Sequence, residues 1–277
     1  MPDQSNPTSA HLLKYTLQLA DNALILGHRL SEWCGHGPIL EQDIALTNIS
    51  LDHLGQARSL YQYAAEQFNG MPAGAQEPFF ASPLLQQTGG PLDEDDLAYL
   101  RDAWDFRNVL LAEQPNGDWA FTVARSFLLD TFNYFLYSAL QQSRDESIAA
   151  IAGKALKEAT YHMRWSSEWV IRLGDGTGES RQRMQHALDE LWMFTGELFR
   201  ESEADRSVGS LTDGLSLQAI KELWEQRVRS VLDEATLNVP GGSWMQEGGK
   251  EGRHSEHLGY ILAEMQFMQR AYPNMEW

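Results

Sequence analysis

Only one cysteine, Cys34, stands in the 277 residues. A single thiol excludes an internal disulfide framework and a cysteine-rich zinc site, and it fits a reducing compartment. Cys34 has no evident base nearby except His36, so it reads as a small apolar residue near a helix end rather than a reactive thiol. Positive charge is also scarce: 21 basic residues face 39 acidic ones, for a formal net charge of −18. A polyanionic backbone would be repelled, which argues against nucleic acid as a partner. No apolar run approaches the roughly 18 residues a membrane helix needs. The N-terminal stretch MPDQSNPTSAHLLKY is polar and lacks a basic region followed by an apolar core, so no signal peptide and a cytoplasmic location are expected. Strand-like alternation is nowhere sustained over five residues. Gly-x-Ser-x-Gly, a P-loop and a dinucleotide-binding fingerprint are all missing, which leaves nucleophilic and phosphate-cradling chemistry without a motif.

What is present is helical periodicity. Long helices are expected over His11–Trp33, Ile39–Phe68, Asp118–Gln142 and Glu146–Leu173. The second carries the stripe Leu40, Ile44, Leu51, Leu54, Tyr61, Ala65 and Phe68. Asn69–Pro91 reads as a long loop, and Asp93–Leu111 as one or two shorter helices. Further helices are expected over Ser180–Glu203, Leu217–Leu237 and Ser255–Ala271. Gly241–Gly252 holds too many glycines to be regular. Four long helices and no strands predict an all-α fold in one domain over residues 1–277, with the first ten residues flexible.

Polar residues that interrupt apolar stripes are the candidates for chemistry. Carboxylate-bridged di-metal bundles take a glutamate from each of two helices and a Glu-x-x-His pair from each of the other two, roughly four carboxylates and two imidazoles. Here Glu158 and His162 stand four apart, and Tyr161 occupies the position three residues after Glu158. The second helix reads Ser50-Leu51-Asp52-His53, with serine in the glutamate's place. Asp130 sits within the stripe Val123, Phe127, Tyr134, Tyr137, and His53 lies in line with Ile49, Ala57 and Leu60. Asp21 and His28 are further candidates on the first helix. His53, Asp130, Glu158 and His162 either satisfy one another by hydrogen bonding or form a vestigial metal centre. A π-bulge between Glu158 and His162 would change their register and allow this chain to be a di-iron or di-manganese oxidoreductase with atypical ligands. The literal Glu251-x-x-His254, with His257 beyond it, lies in the glycine-rich segment and reads as a structural turn. Nine tryptophans, Trp165 and Trp169 among them, read as core and interface filling and favour a permanent partner.

The stretches LSEWCGHGP (30–38), LDHLGQAR (51–58), LLAEQPNGDWA (110–120), KALKEATYHMRWS (154–166), DEATLNVP (233–240) and GGKEGRHSEHLGYILAEMQ (248–266) resemble a specific family. They are similar to the non-catalytic, ferritin-like subunits of bacterial ring-1,2-phenylacetyl-CoA epoxidases. The resemblance runs from about residue 11 to Trp277. It implies a ferritin-like four-helix bundle with additional helices and a role in aerobic phenylacetate catabolism. It implies a homologous alpha subunit as partner, which carries the di-iron centre and binds the CoA thioester. A small accessory subunit and a reductase with flavin and an iron–sulfur cluster complete the implied complex. No catalytic residue, metal ligand or cofactor is carried over onto this chain, because the Glu-x-x-His motifs of the oxygenase subunit are not matched. The strong negative charge likewise argues against this chain alone holding an anionic CoA ester.

Overall fold

Helix α1 (Ser9–Ser31) and helix α2 (Leu40–Asn69) form one hairpin, and α3 (Trp119–Leu140) and α4 (Glu146–Gly174) form a second. These two hairpins are the most extensively packed pairs, and α2 joins them by packing on α4. The computed structural model describes residues 9–72, 76, 79–209, 216–242, 244–272 and 275, so the expectation for the first ten residues lies largely outside the described ones. Among the described residues no strand occurs. The molecule is an all-α, ferritin-like bundle with added helices: two hairpins joined by one long crossover, residues 70–118. Helices α5 (Gly178–Leu191), α6 (Leu217–Glu234) and α7 (Glu256–Met265) surround the bundle.

Local chemistry sets the helix starts. Asp118 and Asp145 accept the backbone N–H of Phe121 and Ile148, each at 2.9 Å, and so cap α3 and α4. Helix α3 is the central element: residues 122–132 are buried without interruption. One hydrophobic cluster runs through all four long helices, with Leu26, Leu60, Phe127 and Ala155 among its members.

Three sequence expectations are corrected. The stripe assigned to α2 splits: Tyr61 and Ala65 are buried, but Leu40, Ile44 and Leu51 face solvent, and the inward face carries Leu46, Ile49, His53, Ala57 and Leu60. The helix expected over Ser180–Glu203 ends at Leu191 and gives way to 3-10 turns over Trp192–Phe194 and Gly196–Phe199. The break turns Glu197 inward, where its carboxylate accepts the backbone N–H of Leu110, Gly248 and Gly249 at 2.7–2.8 Å. Gly196 is required there, since a Cβ would stand 2.7 Å from the Met245 side chain. Finally, the last helix is interrupted at Gln266, whose amide donates to the carbonyls of Ala98 and Arg101. The segment 241–252 is irregular as expected, with Gly248 and Gly252 at φ 134° and 83°.

Candidate metal centre

The inward faces of α2, α3 and α4 bring His53, Asp130 and His162 together in the bundle core. One donor atom from each lies within 4.8 Å of the others. All three residues are buried, at 1%, 2% and 1% exposure. The imidazole rings of His53 and His162 stand 4.9 Å apart, centre to centre. Each arrives by the same logic: a polar residue occupies a core-facing position of a helix whose neighbours on that face are apolar, Ile49 and Ala57 around His53, Phe127 around Asp130, Ala155 and Ala159 around His162.

The hydrogen bonding of this cluster is incomplete. Both ring nitrogens of His53 and Oδ2 of Asp130 have no partner among the described residues. His162 is anchored from outside: its Nε2 lies 3.0 Å from a carboxylate oxygen of Asp52, which is part-exposed on α2. Burial, reinforced by the neighbouring His162, holds the His53 imidazole well below its ordinary value, so it is neutral with a lone pair available. Burial pushes the Asp130 carboxyl up to about 6, against the pull of His162, a hydrogen bond with Ser166, and Arg125.

The fourth candidate lies elsewhere. Glu158 is half-buried, accepts a 2.8 Å hydrogen bond from Gln56 Nε2, and lines a groove with Gly55, Ser59 and Lys154. Helix α4 is continuous from Glu146 to Gly174 with no π-turn, so the register change that could turn Glu158 into the core with His162 does not occur. The residue three before His162 is Ala159, and it is the buried one. The core-facing pairs are therefore Ser50-x-x-His53 and Ala159-x-x-His162. On α1 the residue facing the first pair is Gly27: a Cβ there would stand 3.2 Å from the His53 Cβ, and its carbonyl accepts the Ser50 hydroxyl at 2.7 Å.

The remaining sequence candidates have structural positions. Asp21 is fully buried in an ion pair with Arg101, on α1 before Gly27. His28 is partly buried, and burial lowers its pKa. His254 docks on Glu113 at 2.8 Å and on the Phe106 carbonyl at 3.0 Å, whereas Glu251 points to Arg253, so the literal Glu-x-x-His is no ligand pair. Cys34 is exposed in the turn directly after α1. Trp165 and Trp169 pack edge-on against Trp119 and both donate to the Gln42 side chain. Sequence reading missed Ala159, Gly27 and Asp52. Ala159 could have been found, because it stands three residues before His162 as Ser50 does before His53.

A dinuclear carboxylate-bridged centre does not fit this donor set. Serine, alanine and glycine occupy positions where bridging carboxylates would project, and two imidazoles with one aspartate cannot hold two ions in the usual ligation. Asp130 is the one carboxylate that the three-residue cluster contains.

A family model described as "Phenylacetic acid catabolic protein" matches residues 1–277. The chain belongs to the phenylacetic acid catabolic protein family. Within it, the chain is similar to a 1,2-phenylacetyl-CoA epoxidase subunit of Escherichia coli (strain K12): 46% identical over 266 residues, covering 96% of this chain and 99% of that relative. The stretches that carry the resemblance also meet in space. Asn116 donates to the Glu32 carboxylate at 2.8 Å, joining 30–38 to 110–120 at one end of the bundle. Glu113 in turn receives His254 and the backbone N–H of Ser255 from 248–266.

Proposed function

We propose that this chain is the supporting, non-catalytic subunit of a multicomponent phenylacetyl-CoA 1,2-epoxidase that serves phenylacetate catabolism in the cytoplasm. The observation that carries the reading is the pairing of Ser50-x-x-His53 with Ala159-x-x-His162 opposite Gly27. A ferritin-like chain that has kept its fold and lost its bridging carboxylates has kept what packing needs and lost what dioxygen chemistry needs. The di-iron centre and the CoA thioester belong to a homologous oxygenase subunit, and electrons reach that subunit from a flavin and iron–sulfur reductase, with a small accessory subunit in the same assembly.

Two features support a permanent partner. Ile39, Leu40, Ile44 and Leu51 form an exposed apolar run on the N-terminal half of α2. Trp244, Tyr260, Phe267 and Met268 expose large apolar surface near the C-terminal end. Contiguous apolar patches on soluble chains mark interaction sites, and aromatic and methionine side chains are enriched in them. Among the described residues no helix is long and apolar enough to cross a membrane.

Co-expression with the candidate oxygenase subunit tests the proposal. The expected outcome is a stable hetero-oligomer in which two irons per heterodimer reside on the partner. Epoxidase activity should collapse when this chain is omitted. A fully active, stable oxygenase subunit purified without this chain would overturn it.

A further inference from the structure

We infer that His53, Asp130 and His162 form a mononuclear site for one divalent first-row transition ion, a structural tie between α2, α3 and α4. Two imidazoles and one carboxylate are a donor set that zinc, ferrous iron and cobalt accept readily, with water completing the coordination. The spacing fits one ion. Two ligands at about 2.1 Å from a common ion stand about 3.4 Å apart in a tetrahedral site, and never more than about 4.2 Å. Donor atoms already within 4.8 Å of one another need only side-chain adjustments of less than about an ångström to close on it.

Two further observations point to a cation. Both nitrogens of His53 and Oδ2 of Asp130 are buried without a partner, which is costly for groups of this polarity unless something fills the gap. The Asp52 carboxylate at His162 Nε2 is the outer-shell arrangement that metal-binding histidines use: it fixes the proton on Nε2 and leaves Nδ1 with the lone pair an ion takes. Ser50, Ala159 and Gly27 supply no donor to a second ion, so the stoichiometry is one.

The test uses the full-length chain, alone and in its complex, stripped with chelator and reloaded with Zn²⁺, Co²⁺ or anaerobic Fe²⁺. One arm refolds the protein in the presence of the ion, so that slow entry to a buried site does not decide the result. Expected are one equivalent bound per chain, visible absorption bands of nitrogen- and oxygen-ligated Co²⁺, and a rise in melting temperature. Asp130→Asn, which preserves side-chain shape, and His53→Gln, which replaces the ring by an amide, should abolish the absorption bands while the metal-free variants retain wild-type far-ultraviolet circular dichroism. Asp52→Asn should weaken binding about 10–100-fold. Absence of binding in the refolding arm, binding that Asp130→Asn and His53→Gln leave intact, or two equivalents per chain would each overturn the assignment. Metal stoichiometry is read independently of subunit assembly, so its failure would leave the supporting-subunit reading standing.

Discussion

Two buried polar clusters in one bundle have opposite characters. Around Asp21, every donor meets an acceptor: Arg101 reaches both carboxylate oxygens of Asp21, the hydroxyl of Tyr61 and the carbonyls of Leu97 and Asp105, and its guanidinium lies 4.2 Å over the Phe106 ring. Tyr61 and the backbone N–H of Arg107 complete the shell of Asp21. Burial opposes the Arg101 charge, but Asp21 and Tyr61 outweigh it and raise its pKa. Around Asp130, by contrast, Oδ2 of Asp130 and both ring nitrogens of His53 stand close together and stay open. A closed network fixes the long crossover to the bundle and needs nothing else. An open one, held by three separate helices, keeps the geometry of a site without the hydrogen bonds that would make it merely structural.

That contrast can be broken by substitution. Arg101→Met should be the most damaging change, costing about 3–5 kcal/mol in chemical denaturation, because it strands Asp21 as a buried charge. Pairing it with Asp21→Leu should recover much of the loss, and failure to recover would show that the cluster does more than neutralise itself. Glu197→Gln should come next, at about 1–3 kcal/mol, since an amide cannot accept from all the backbone N–H groups that converge there.

This second variant also carries a pH signature. Burial raises the Glu197 pKa, although four backbone hydrogen bonds pull the other way. A carboxyl raised in the folded state contributes stability that is fully present below its unfolded value and is lost as pH rises through the folded value. The advantage of wild type over Glu197→Gln should therefore grow as pH falls toward the ordinary glutamate range, and a flat difference across that window would refute the assignment.

Smaller effects sharpen the other side. Ser50→Ala should cost about 0.5–1.5 kcal/mol, the worth of one hydrogen bond to the Gly27 carbonyl. In the metal-free chain, Asp130→Asn should shift stability by less than about 1 kcal/mol, because it removes no closed hydrogen-bond network. A loss as large as that of Arg101→Met would place Asp130 in the closed class and end the contrast.

Much of the molecule was legible in sequence. The four long helices fall within a few residues of their expected limits, because apolar spacing and the capping aspartates Asp118 and Asp145 act locally. The irregular 241–252 segment was legible for the same reason: its glycines write backbone freedom directly into the chain. Three of the four candidates for a vestigial centre meet in the core, since a polar residue inside an apolar stripe is visible in one dimension.

Tertiary structure alone decided the rest. Residues three and four before a helical residue both flank it, so Glu158 and Ala159 are equally near neighbours of His162 on the helix surface. Packing of α4 against α2 and α3 turned Ala159 inward and left Glu158 to Gln56. The stripe of α2 was ambiguous in the same way, and the choice of buried face exposed Leu40, Ile44 and Leu51. The helix break at 192–199 depends on Glu197 finding backbone donors more than fifty residues later, a partner that no local pattern announces. Sequence thus determined which segments coil and which residues are chemically notable. Only the packed structure, by choosing one face of each helix to desolvate, determined which of them meet.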